Sequence, residues 1–143
     1  MNYIPRISQK LIQYFGYFEN GQAVGRFWIQ MQGSGFLHGK VDSNGMISGD
    51  EIAYIYPDGE TALLGKFEDR VMKNAFHVKV EEFGCDSNGL FYVKKLSEKL
   101  SDQNYIFEIP TNTSWGGGGL HPDPYETKFL NRQESSGKFY NNM

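Results

Sequence analysis

The stretch Tyr14-Phe-Gly16-Tyr-Phe18 returns twice along the chain, as Leu37-His-Gly39-Lys-Val41 and as Leu63-Leu-Gly65-Lys-Phe67. In each copy two large residues flank a central glycine. Because side chains alternate between the faces of a β-strand, all three positions point to one face, and the glycine leaves a gap for a neighbouring repeat. The central glycines recur after 23 and 26 residues, a period typical of a stacked array.

Turn signals lie between the copies of this pattern. Asn20-Gly21, Asn44-Gly45 and Asp58-Gly59 are dipeptides that tolerate the positive φ angles of a type I′ hairpin turn. The flanking runs predict strands over 12–18, 25–31, 36–41, 51–56 and 62–67. The repeating unit is therefore a β-hairpin, present about three times, and we expect one continuous twisted antiparallel sheet.

The glycine spacing extends beyond the centre of each copy. Six glycines of the first two copies resemble the MORN repeat, the membrane occupation and recognition nexus motif: Gly16, Gly21, Gly25, Gly39, Gly45 and Gly49. The third copy keeps Gly65 but has Arg70 and Asn74 where the first copy has glycines. We therefore expect the array to fray or end after the third copy.

Longer stretches resemble the N-terminal half of a histone lysine methyltransferase with a catalytic SET domain, of the set seven/nine type. The residues that carry the resemblance are Gly49-Asp-Glu-Ile-Ala-Tyr-Ile-Tyr-Pro-Asp58, Thr61-Ala-Leu-Leu-Gly-Lys-Phe67 and Pro122-Asp-Pro-Tyr-Glu126. The likeness covers roughly residues 11 to 130. It implies an S-adenosylmethionine cofactor only where the SET domain is present. The family's Asn-His and Gly-Tyr motifs have no counterpart in these 143 residues.

Composition limits the class of partner. The net charge is −3, from 14 basic and 17 acidic residues, which argues against nucleic-acid binding and leaves membrane contact a weaker alternative. Cys85 is the single cysteine, which excludes an internal disulfide. Without an apolar leader this fits an intracellular protein, nuclear or cytoplasmic.

The pattern divides the chain into four parts. We predict a loose lead-in over 1–10, the MORN-repeat array over 11–83, a small β extension over 84–112 and a flexible tail over 113–143. Further strands are predicted in three places, Phe76–Glu82, Leu90–Val93 and Tyr105–Ile109. Residues 96–100 are either one helical turn or a polar loop.

The array carries more large side chains than one buried face can use by strict alternation. Trp28, Tyr54 and Tyr56 are therefore predicted as partner-binding residues. Two interpretations stay open. The surplus aromatic residues pack against the chain after residue 75, or they form a concave docking surface of the kind that repeat arrays use.

No group of residues has the spacing of a catalytic, metal or phosphate site. Gly116–Gly119 is not followed by the Lys-Ser/Thr of a phosphate-binding loop and is interpreted as a flexible linker. Two prolines hold His121 apart from the acids that follow it. His38 and His77 fall on separate predicted strands, and His77 is expected to face solvent. We predict no metal, no cofactor and no catalytic residue in this chain.

These observations favour a non-catalytic interaction or scaffold module. Its partner is expected to be a protein, or the SET domain of the family, bound through a face or edge of the sheet. The alternative is that the chain is a fragment of an active protein-lysine methyltransferase that acts on histone substrate.

Overall fold

Every regular element in the described part of the chain is a β-strand. The computed structural model describes residues 3–110 and 138–142. In chain order the strands are β1 Arg6–Ser8, β2 Leu11–Glu19, β3 Gln22–Met31, β4 Phe36–Lys40, β5 Gly49–Ile55, β6 Thr61–Glu68, β7 Val71–Cys85, β8 Phe91–Leu96, β9 Tyr105–Glu108 and β10 Lys138–Asn142. The predicted all-β class is confirmed.

The strands pair in the order β1-β9-β7-β6-β5-β4-β3-β2-β10, and β8 pairs with β7 off this path. Strands β2 to β7 are sequential antiparallel neighbours, as repeated hairpins require. By contrast, β1 pairs in parallel with β9, and Arg6 forms an ion pair with Glu108. The loose lead-in predicted for 1–10 is therefore wrong at Arg6–Ser8, because a strand far along the chain supplies its pairing.

The later part of the chain also differs from the prediction. Strand β7 continues to Cys85, across the predicted boundary at residue 83, and residues 97–100 form a loop. Most of the predicted flexible tail, 113–137, lies outside the described residues. Residues 138–142 are not a tail but strand β10, which pairs antiparallel with Tyr14–Phe18.

The three central glycines lie in one row across the sheet. Gly16 is opposite Phe27, Phe27 is opposite Gly39, and Ile52 is opposite Gly65. A Cβ added at Gly39 would lie 2.5 Å from Ile52 Cδ1, which places Gly39 beside Ile52 and completes the row. The glycines thus occupy equivalent positions on one face, and neighbouring side chains fill the space above them.

Turns fall at all three Asn/Asp-Gly dipeptides, but only the first has the positive φ at both residues that a type I′ turn requires. Asn20 and Gly21 both have positive φ, 52° and 79°. In the second and third turns only the glycine has positive φ. There Asp42 and Asp58 each accept two backbone N–H groups at 2.7–3.0 Å, so a side chain closes the turn.

The third hairpin, β6–β7, keeps the backbone of the first without its glycines. Arg70 and Asn74 have φ angles of 68° and 55°, close to the 79° and 70° of Gly21 and Gly25. A left-handed φ costs a residue with a Cβ roughly 1–2 kcal/mol, and the β6–β7 ladder offsets this cost. The fraying predicted at Arg70 and Asn74 is therefore absent, because the β6–β7 pairing continues to Thr61↔Lys79 and completes the third hairpin.

Register divides the sheet into two faces, since residues opposite each other in a ladder point the same way. We call the face that carries Gly16, Gly39 and Gly65 the glycine face and the opposite one the tryptophan face. The glycine face carries the larger core, which includes Phe107 and Ile109 at the β9 end of the sheet. The tryptophan face carries Trp28, Phe36, Leu64 and Phe76 around a smaller core.

Candidate functional site

The three aromatic residues predicted to bind a partner do not form one surface. Tyr54 and Tyr56 lie together on the glycine face, with ring centroids 5.2 Å apart, whereas Trp28 lies on the tryptophan face. Tyr54 is 1% exposed and stacks on Phe107 at 4.7 Å, so its prediction as a partner-binding anchor is wrong. Each of the three contacts an aromatic ring beyond residue 75. This agrees with the interpretation that the surplus aromatic residues pack against the chain after residue 75.

His77 is partly buried instead of facing solvent. Its Nε2 lies 3.0 Å from the Tyr56 hydroxyl, and its ring lies 4.3 Å from that of Tyr105. Burial lowers the pKa of His77 and raises the pKa of Tyr56 to about 12. Both groups are therefore neutral at pH 7, and Tyr56 and Tyr105 of this cluster pack against the larger core.

A hairpin folds back across the tryptophan face. It is formed by the end of β7 and by β8, residues 80–96, and we call it the arm. Phe83 and Phe91 of the arm lie 6.2 and 6.0 Å from the Trp28 ring, between centroids. The arm therefore brings two phenylalanines to the sheet beside Trp28.

An aromatic groove of about 700 Å³ lies between the arm and the sheet. It is lined by Phe15, Trp28, Gln30, Phe36, Phe83, Gly89, Leu90 and Phe91. None of these residues carries a charge, and Phe83 and Phe91 are 40% and 52% exposed. The groove therefore presents a contiguous aromatic surface to solvent. Surfaces of this kind often mark binding sites.

The tip of the arm is an Asp-Ser-Asn-Gly turn, residues 86–89, that occurs in identical form at residues 42–45. In both turns the aspartate Oδ1 accepts two backbone N–H groups of its own turn, at 2.8–3.0 Å. The second carboxylate oxygen differs. In Asp42 it accepts from Ser48, whereas in Asp86 it accepts from Tyr17 and Arg26 on the sheet.

The family of this chain follows from comparison with known proteins. Residues 17–83 match the family model described as Histone H3 K4-specific methyltransferase SET7 N-terminal. Residues 17–83 belong to the SET7 N-terminal family. A relative, the histone-lysine N-methyltransferase SETD7 of Halocynthia roretzi, is 32% identical over 119 residues. The alignment covers 83% of this chain and 31% of that protein, so the chain spans about a third of the relative's length.

The SET7 N-terminal match contains most of the sheet but stops at the base of the arm. Strands β3 to β6 lie within 17–83, whereas the turn at 86–89 and β8 follow it. The groove therefore combines the matched domain, which supplies Trp28 and Phe36, with Phe15 and Phe91 on either side of it.

On the other side of the arm, the SET7 N-terminal domain has a polar cleft of about 430 Å³ beside Arg26, His38 and Lys40. His38 Nε2 accepts the Val93 N–H at 3.4 Å. Burial, assisted by the charge of Arg26, lowers the pKa of His38 to about 4. The ring is therefore neutral at pH 7 and keeps the lone pair that holds the arm.

The groove was missed by sequence reasoning, apart from Trp28. Phe15 belongs to the first copy of the repeat, but Phe83 is the last residue of the predicted array, Phe91 lies in the predicted extension, and neither belongs to a copy of the repeat. The sequence did contain a signal for the turn at Asp86. The tetrapeptide Asp-Ser-Asn-Gly at 42–45 occurs again at 86–89, outside the array.

The described residues offer no second type of site. Within 3–110 and 138–142 no three His, Cys, Asp or Glu side chains are placed to hold a metal ion. No helix in that part of the chain is long and apolar enough to cross a membrane. The absence of a metal and of a cofactor stays a prediction.

Proposed function

We propose that this chain is a non-catalytic protein-interaction module, and that its aromatic groove binds a protein segment with apolar side chains. The observation that carries the proposal is the groove, lined by five aromatic side chains and by no charged one. Aromatic side chains that converge in a cleft are typical of the residues that dominate binding energy at protein interfaces.

The charge and chemistry of the groove favour a protein over other partners. The net charge of −3 repels nucleic acid and anionic lipid headgroups. Gln30 is the polar side chain in the lining, so the groove selects shape and apolar character and gives little electrostatic recognition. A segment with several large apolar side chains, and without charges between them, would match this surface.

The test is selection of binding peptides from a random displayed library on the full chain. We expect the selected peptides to be rich in aromatic and aliphatic residues. Their affinity, measured by fluorescence anisotropy, is expected to fall about 30-fold in Phe91→Asp, since loss of a central aromatic anchor costs roughly 2 kcal/mol.

A matched variant separates the groove from general stickiness. Leu100 is also a large apolar residue, 58% exposed, but it lies outside the groove lining, so Leu100→Asp should leave peptide affinity unchanged. Peptides that bind wild type and Phe91→Asp equally would contradict the proposal. Binding to neutral and anionic vesicles alike, with no peptide selected, would favour a membrane instead.

The relative favours a second candidate: the chain is a piece of an S-adenosylmethionine-dependent protein-lysine methyltransferase with histone substrate, nuclear or cytoplasmic. The aligned relative is a histone-lysine N-methyltransferase, and the alignment covers 31% of it. The intact mass of the native product discriminates between the two. A product about three times heavier than 16.3 kDa supports the enzyme, and one near 16.3 kDa supports the separate module.

A further inference from the structure

The arm is attached to the sheet along one strand. Strand β7 pairs with β6 as far as Lys79, and from Val80 onward it pairs with β8. Two successive register shifts, Val80/Glu82 and Glu82/Phe83, lie where β7 leaves the sheet. Such irregularities bend a strand and interrupt its ladder. The base of the arm is therefore a bend with a weakened ladder.

The tip of the arm is tied to the sheet by polar contacts. The Asp86 carboxylate accepts a hydrogen bond from the Tyr17 hydroxyl and another from Arg26 Nη2, at 3.2 Å for the latter. These partners are 69 and 60 residues away in sequence. Arg26 also lies over the ring of Tyr92, 4.3 Å from its centroid. The aromatic groove lies between this tip and the bend.

The turn itself does not need the contacts that Asp86 makes with the sheet. The identical turn at 42–45 closes with the same backbone bonds. There the second carboxylate oxygen, Asp42 Oδ2, accepts a hydrogen bond from Ser48, six residues away. Asp86 therefore has two separable roles. Its Oδ1 closes the turn, and its Oδ2 fastens the turn to Tyr17 and Arg26.

We propose that the arm moves as a unit about the bend at Glu81–Phe83, and that Asp86 is the latch that holds it over the aromatic groove. With the latch released, the polar contacts that remain include the long bond from the Val93 N–H to His38 and the stacking of Arg26 on the Tyr92 ring. The apolar contacts that remain include the rings beside Trp28 and the packing of Val80, Val93 and Leu96 in the smaller core. The width of the groove is then set by the arm. The motion of the arm is proposed independently of the proposed function. The further claim that the arm controls access of a partner to the groove rests on the proposed function.

The test compares Asp86→Asn with Asp42→Asn in the full chain. Asparagine keeps the acceptor that closes each turn, but at position 86 it removes the charge that faces Arg26. We expect amide exchange at Val93, whose N–H bonds to His38 on the sheet, to become about tenfold faster or more in Asp86→Asn, since bonds to a charged group are the strong ones. The amides of the β7–β8 ladder should stay protected, because the arm moves as a unit. Exchange in β3 to β5 should stay within about twofold of wild type. Asp42→Asn should accelerate only the turn at 42–48.

Trp28 supplies a second measurement. The chain has two tryptophans, so in a Trp115→Phe background, with excitation beyond the tyrosine absorption band, the fluorescence comes from Trp28 alone. Acrylamide quenching of Trp28 should rise in Asp86→Asn and in Tyr17→Phe, which removes only the latch hydroxyl. Unchanged exchange and quenching would show that apolar contacts alone hold the arm. Equal acceleration throughout the sheet would show that the arm opens only with global unfolding, and either result overturns the proposal.

These measurements use the chain without a bound peptide, so the two proposals fail separately. A mobile arm with no peptide selected would refute the interaction module and leave the latch standing. Peptides that bind in the groove of an arm that does not move would refute the latch and leave the module standing.

Discussion

His38 predicts how the stability of this fold depends on pH. Its Nε2 accepts the Val93 N–H, and burial lowers the pKa of the ring to about 4 in the folded chain. In the unfolded chain the ring has its ordinary pKa of 6.5. Between these two values the unfolded state binds more protons than the folded state. Stability is therefore lost as the pH falls from 6.5 towards 4.

The size of the loss follows from the two pKa values. At pH 7 the ring is neutral in both states, and almost nothing is lost. Proton linkage gives a loss of about 2 kcal/mol at pH 5 and about 3 kcal/mol at pH 4, as upper limits for a partly buried ring. For a chain of this length, 2 kcal/mol corresponds to a fall in Tm of roughly 5–10 °C.

Urea denaturation of wild type and His38→Gln at pH 7 and pH 5 measures the effect. Glutamine can still accept the backbone N–H but does not titrate. His77, whose pKa burial also lowers, is present in both proteins, so its contribution cancels. Wild type should lose about 2 kcal/mol more than His38→Gln between the two pH values. Equal losses in the two proteins would refute the role given to His38.

Three other substitutions or assays test the fold and the function. Gly39→Val should lower the free energy of unfolding by about 1–3 kcal/mol, because the new Cβ lies 2.5 Å from Ile52 Cδ1, and an unchanged Tm would contradict the register. Gly25→Asn should cost less than about 0.5 kcal/mol in urea, because Asn74 holds the same left-handed φ in the third hairpin, whereas Gly25→Val should cost roughly 1–2 kcal/mol. The chain alone should show no S-adenosylmethionine binding in calorimetry, and micromolar affinity would contradict its assignment as non-catalytic.

The hairpin array was predictable because its information is local. The spacing of Gly16, Gly39 and Gly65 gives the strand positions that face the core, and the Asn/Asp-Gly dipeptides give the turns. Fraying was predicted at Arg70 and Asn74 because they stand where the first copy has glycines, yet both adopt a backbone conformation usually associated with glycine. The absence of a glycine does not exclude a left-handed φ angle, because a stable ladder such as β6–β7 can hold another residue in that strained conformation.

The candidate site was not predictable from sequence because it depends on distant contacts. Trp28 and Phe91 are 63 positions apart, and no periodicity links them. Tyr54 was misassigned because surplus aromatic residues on a strand do not reveal which of them a later strand will cover. Here Phe107 of β9 covers Tyr54. Only the pairing of β9 with β7 decides that question.

The parallel pairing of β1 with β9 has a consequence for the order of folding. The hairpins of β2 to β7 close loops of a few residues, whereas Arg6 must find Ile106, a partner 100 positions away. Closing so long a loop costs roughly 2–3 kcal/mol more in chain entropy than closing a hairpin. During synthesis β1 emerges from the ribosome before β9, so it has to wait for this pairing until β9 has emerged. The first of the described strands is thus among the last of them to be placed, and changes in Arg6–Ser8 should affect the unfolding rate more than the folding rate.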